Sequence, residues 1–273
     1  MNLRASLLVA FGALGLVPQA TTESFGYGDY AAVLKSFVNE EHLVDYKGLK
    51  AKPAQLDSFL TRLTRLRRED YEDWGKKEQV AFWVNAYNGM VLKIIISHYP
   101  IQSSWTKSLI YPKNSIRQIG GAFDDIEHTI MGQTMTLDDI EHGTLRKKFN
   151  EPRIHFALVC AAMSCPPLRR EPYMAARLDA QLDDQARQFL RGPKGLRINR
   201  RRERVYLSSI FKWFGEDFIK THGTSARFRG HSEKVRAVLN FASRHVRGAT
   251  RQYLTTADYG VRYLDYDWSL NEQ

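Results

Sequence analysis

The sequence predicts an α+β fold: one helix-rich domain with a small, mostly antiparallel sheet packed on a long buried central helix. Three observations lead there. "KKEQVAFWVNAYNGMVLKIIISHY", Lys76 to Tyr99, is too long and too continuously apolar for a strand and reads as a buried helix that Pro100 ends. Short runs around Gly132 and on either side of the basic turn in "LRINRRRERVYL" read as hairpin strands. Amphipathic helical spacing recurs before, between and after them.

Taken along the chain, residues 1–22 read as a secretory signal. Arg4 supplies the basic end, Ala5 to Val17 the apolar run, and Pro18 and Ala20 the exit, with cleavage after Ala20. That run is short of the ~20 residues a spanning helix needs. No later segment is expected to be apolar for long enough to cross a membrane, so the mature protein is expected to be soluble. Residues 23–273 then form a single domain. Helices are expected at Tyr30 to Val38 and over 54–66, where Leu56, Leu60, Leu63 and Leu66 repeat at helical spacing. A hairpin about Gly132 leads into a helix from Leu137 to Phe149, capped near Thr136 or Asp138. "RIHFALVC", Arg153 to Cys160, has strand character, and "AAMSCPPL" is a turn. A helix over Ala175 to Leu190, two strands across a basic turn, a helix ending near Phe218, a helix from Val235 to Val246 and an aromatic-rich closing strand complete the chain.

A net charge of +10 over 273 residues favours polyanionic contacts, such as an envelope polymer or an anionic surface. The signal and the lack of any helix-turn-helix, zinc-finger or aromatic RNA-binding signature argue against nucleic acid. No phosphate-cradling glycine loop and no common zinc spacing is present, so neither cofactor nor metal is expected.

The chemistry concentrates in "EHGTLRKKFNEPRIHFALVCAAMSCPPL", Glu141 to Leu168. A nucleophilic cysteine needs a lowered pKa, a base within reach and an orienting partner for that base. Cys165, at a turn, is the better nucleophile, because Cys160 lies in an apolar run where a thiol acts as a small hydrophobe. On a strand, His155 and Cys160 would face opposite ways about 16 Å apart and could not form a dyad. His155 meets Cys165 only if 161–165 folds back. His142 is the other candidate base. Glu141 can orient His155 but does not share the helix face of His142. The alternative for the two cysteines is a disulfide, as export favours. Asn85 and Asn88, buried on an apolar helix, must be hydrogen-bonded, and the plain account is that they tie neighbouring loops to it. Trp83, Tyr87 and Trp213 are read as core. The arginines at 197, 200, 201, 202 and 204 are read as a solvated hairpin tip or a polyanion contact.

Six motifs in order, "VDYKGL", "VAFWVNAYNGMVL", "LDDIEHGTLR", "RIHFALVCAAMSCPPLR", "LDAQLDDQARQFL" and "LSSIFKWFGEDF", resemble the domain-of-unknown-function family numbered 547, with a core at about 37–218 and an extension over 219–273. The arrangement is similar to thiol-hydrolase-like folds with a cysteine and a histidine beside a central helix. That resemblance implies Cys165 as nucleophile, His155 as base, Glu141 as its partner and Asn85 as an alternative polar helper. Two functions follow as expectations. One is a periplasmic or secreted cysteine-dependent hydrolase or transferase acting on an amide or thioester-type bond. The other is a non-catalytic envelope-binding scaffold with a Cys160–Cys165 disulfide and a basic surface for anionic polymers.

Overall fold

The computed structural model describes residues 25–273, so the secretory signal expected at 1–22 lies outside the described residues. Four helices open the fold: α1 (Gly28–Phe37), α2 (Tyr46–Ala51), α3 (Ala54–Arg65) and α4 (Arg68–Glu72). They wrap α5 (Lys76–His98), the long helix, whose residues from Val80 to Leu92 are all buried. Close packing on α3 needs Gly89, where a Cβ would come within 2.6 Å of the Phe59 ring. By length and apolarity α5 does satisfy the requirement for crossing a membrane, contrary to the sequence expectation, but 89% of its apolar window is buried inside the protein's own fold. It is the core helix.

A hairpin follows, β1 (His128–Ile130) and β2 (Gln133–Met135), joined by Met131 and Gly132, both at positive φ. Two successive left-handed residues make the tight turn whose twist suits a hairpin. The expected helix begins at Leu137, and Thr136 and Asp139 exchange backbone and side-chain hydrogen bonds as a capping box. Its middle, Asp139–Leu145, is wound as a π-helix and returns to α-helix at α6 (Arg146–Lys148).

Residues 153–160 are not a strand. Pro152–Phe156 form a 3-10 turn with Pro152 at its start and Glu151 capping the Arg153 N–H at 3.1 Å. An apolar run enclosed on every side fits a helical turn as readily as a strand, so periodicity could not separate them. The chain then makes a loop from 157 to 173, followed by α7 (Leu178–Arg191).

β3 (Leu196–Asn199) and β4 (Arg204–Leu207) pair antiparallel across the basic turn. α8 (Ser209–Phe214), α9 (Ile219–His222), α10 (Glu233–His245) and α11 (Gly248–Thr256) follow. α11 was not anticipated, since Leu254 is its only buried residue. β5 (Gly260–Tyr263) then adds to β4 in parallel. The sheets rest on flanking helices, the hairpin on α3 and β3 on α7, with α5 at the centre of the larger of two hydrophobic clusters. The second cluster gathers α7, α10 and the three-stranded sheet, and Tyr266 packs against both.

Candidate active site

Asn88 of α5 places the cysteine loop. Its side-chain amide donates to Ala157 O at 2.9 Å and its carbonyl accepts from Val159 N at 2.9 Å. One turn earlier, Asn85 makes the same pair of bonds with Tyr173 O and N, at 2.8 and 2.9 Å. Both ends of the loop that carries the cysteines are therefore tied to the core helix. Asn85 acts there as a tether and does not line the site cavity.

Between those ties the chain folds back. Ala161 takes a left-handed conformation (φ 57) and Cys165 N donates to Ala162 O at 3.0 Å. The residues after β5 clamp this turn from outside: Met163 N donates to Ser269 O, Ser164 N to Asp267 O, and Asn271 N to Ala161 O. The two sulfurs come to 2.7 Å from each other, both as free thiols.

The exposure of the two cysteines is the reverse of the expectation. Cys165 is buried, while Cys160 is partly exposed and opens on a cavity of about 160 Å³. Cys160 Sγ meets the Cys165 thiol at 2.7 Å and the Tyr266 hydroxyl at 3.2 Å, both able to donate to it, while the Cys160 backbone N–H donates to Cys165 Sγ at 2.8 Å. The Cys165 bond is the largest influence on Cys160, and these donors outweigh burial to lower its pKa. Burial raises the Cys165 thiol far above its usual range, and its donation to Cys160 adds to that. A thiolate therefore forms on Cys160 first.

The same cavity is lined by Tyr87, Glu141, His142 and His155. The π-wound segment turns Glu141 inward, and such windings recur at functional sites. His155 comes from the 3-10 turn, stacks on Phe214 with ring centroids 4.2 Å apart, and hydrogen-bonds Asp217 through Nε2 at 2.7 Å. Arg146 grips Asp217 with two bonds of 2.6 and 2.9 Å. Burial would raise the Asp217 carboxyl, but His155 and Arg146 hold it well below the ordinary carboxylate range. Asp217 thus accepts a proton-bearing Nε2, which leaves Nδ1 facing Glu141 Oε1 at 3.8 Å. Burial lowers His155 and pushes Glu141 up to about 7. Both influences favour the neutral pair, a protonated carboxyl beside an unprotonated Nδ1.

Three of the four residues singled out from the sequence, Cys165, His155 and Glu141, thus line one cavity, but not as a cysteine–histidine dyad. No histidine is among the hydrogen-bond partners of either sulfur, since both ring nitrogens of His155 face carboxylates. The strand geometry that separated His155 from Cys160 does not exist, and both residues line the cavity. Tyr266, Asp217 and Arg146 were not anticipated; Asp217 and Arg146 stand inside quoted motifs without having been singled out, and Tyr266 lies far along the chain in a segment with no motif of its own. Trp213, expected in the core, is 44% exposed and forms part of the rim with Trp268. Among the described residues no group of three or more His, Cys, Asp or Glu side chains converges as a metal set.

No curated protein and no solved structure matches the chain. A family model does match, over residues 71–190, shorter than the core of 37–218 read from the motifs; its description is "Protein of unknown function, DUF547". At residues 71–190 the chain carries a domain of the DUF547 family.

Proposed function

We propose that this protein is an exported cysteine-dependent hydrolase or transferase acting on an amide or thioester-type bond, with Cys160 rather than Cys165 as its nucleophile. One observation carries the proposal: the Cys165 thiol and the Tyr266 hydroxyl converge on Cys160 Sγ at the wall of a cavity that also holds a carboxyl of near-neutral pKa. The Cys160 thiolate attacks the acyl carbon and forms a C–S bond. The leaving amine or thiol takes the Glu141 proton as its bond to the acyl carbon breaks. Water, or an acceptor amine or alcohol, then attacks the thioester, returns a proton to Glu141 and releases the thiolate. His155, fixed by Asp217 and Arg146, is a positioning residue that receives the Glu141 carboxyl. Export rests on residues 1–22.

The test is alkylation of the fully reduced protein with iodoacetamide, followed by peptide mass. Cys160 is expected to react first, with a rate midpoint well below pH 8.5, and a p-nitrophenyl ester should leave an acyl group on Cys160 in the wild type but not in Cys160→Ser. A midpoint at or above 8.5, or acylation elsewhere, would sink the proposal.

The sulfur–sulfur contact favours a second reading, the scaffold with a Cys160–Cys165 disulfide. In that case protein purified without reductant weighs two hydrogens less and binds anionic polymer equally well whether oxidised or reduced.

A further inference from the structure

Three large apolar side chains stand out from the surface within six residues: Trp105 is 79% exposed, Leu109 73% and Ile110 76%. Contiguous exposed apolar groups of this size mark interaction sites more often than accidents of folding. The loop holding them is built and does not merely flop outward. Gln118, only 5% exposed, sits inside it as a peg. Its side chain accepts from Ser104 N at 3.0 Å and donates to Tyr111 O and Pro112 O at 3.2 and 3.1 Å, while Lys107 reaches Gln118 O at 3.3 Å. With its backbone closed around one buried amide, the loop cannot turn its apolar tip back into the core.

Charge identifies the partner. From residue 101 to residue 123, the loop and its flank, the sequence has no Asp or Glu and carries Lys107, Lys113 and Arg117. A tryptophan and two aliphatic residues at a loop tip, backed by lysines and a tyrosine, match what sits at the boundary of headgroups and acyl chains. A groove on another protein would require no such one-sided charge.

The loop also adjoins the cavity. Tyr111 at its foot packs edge-on against Trp268, 6.1 Å between centroids, and Arg117 lies 5.4 Å over the same Trp268 ring. Trp268 and the half-exposed Trp213, stacked at 6.1 Å, belong to the cavity wall.

We propose that Trp105, Leu109 and Ile110 insert into the surface of an anionic lipid bilayer and hold the mouth of the cysteine cavity against it. The inference stands on the loop and does not depend on the chemistry proposed for Cys160. The measurement is sedimentation of residues 23–273 with vesicles of phosphatidylcholine alone and of phosphatidylcholine mixed equally with phosphatidylglycerol. Binding to the anionic vesicles is expected. The triple variant Trp105→Ser, Leu109→Ser, Ile110→Ser should weaken it at least ~30-fold, and Lys113→Gln about fivefold. Circular dichroism confirms that the surface variants fold. Absence of binding by the wild type overturns the proposal. So does salt-sensitive binding that the triple variant retains, which would place adsorption on the arginine hairpin. Loop-dependent self-association without vesicle binding would assign the patch to a second copy of the chain, and also overturns it.

Discussion

Replacing Glu141 by Gln should stabilise the protein at alkaline pH and leave it nearly unchanged in acid. Burial raises this carboxyl from 4.5 in the unfolded chain to about 7 in the fold. Between those values the unfolded chain releases the proton and the folded one keeps it, so stability falls as pH rises, and above 7 the deficit is constant. At 1.36 kcal/mol per pH unit the interval is worth about 3 kcal/mol. Gln keeps the shape and a donor toward Nδ1 of His155, but cannot ionise. For a protein of this size about 3 kcal/mol corresponds to a gain of roughly 6–12 °C in Tm at pH 8. Thermal unfolding followed by circular dichroism in reducing buffer, from pH 4 to pH 8, checks this. The two curves should coincide near pH 4 and separate as pH rises. Parallel curves across the whole range would mean that Glu141 is ionised in the fold, and the proton-donor role would go with it.

Tyr266→Phe removes one donor from Cys160 and should slow its alkylation at pH 7 by about fivefold without changing Tm appreciably; a pH–rate profile shows whether the midpoint moves up. Cys165→Ala takes away the strongest donor, and the midpoint should move up further, whereas Cys160→Ala should leave Cys165 almost unreactive. Asn88→Ala leaves the Val159 N–H and the Ala157 carbonyl without partners and should cost about 2–4 kcal/mol in urea unfolding. Asp217 has a depressed pKa, so its stabilisation is full above about pH 4 and fades as pH falls through the depressed value; Asp217→Asn should lose ~2 kcal/mol at pH 7, with the gap closing in acid. Equal loss at every pH would show that Asp217 contributes by packing alone.

Helices and hairpins were legible because their signals are local. Gly132 with its neighbours, the Thr136 cap and the apolar faces of α3, α7 and α10 all fell where spacing placed them. The buried asparagines were legible as tethers for the same reason: an amide on an apolar helix has to find partners, whatever the fold. The run Arg153 to Cys160 was misread because complete burial erases the alternation that marks a strand, and the error carried into the geometry of the cysteines. Which sulfur opens on the cavity and which is buried could not be read at all. Cys165 looked exposed beside two prolines, but the segment after β5 covers it, and the donor that lowers Cys160 from that segment, Tyr266, is 106 positions away. Asp217 likewise meets His155 across 62 positions, by packing that leaves no trace in spacing.

The closing segment from 264 to 271 crosses the cysteine turn as a strap, and this separates the unit of sequence likeness from the unit of folding. A fragment cut at 71 and 190 would carry both thiols, Glu141 and His155. It would lack Asp217 to set the imidazole, Tyr266 to stabilise a thiolate on Cys160, and the backbone bonds from Asp267, Ser269 and Asn271 that cover the cysteine turn. Any exchange of parts at those borders, in the laboratory or between genomes, would hand on an inventory of reactive groups with their governing contacts left behind.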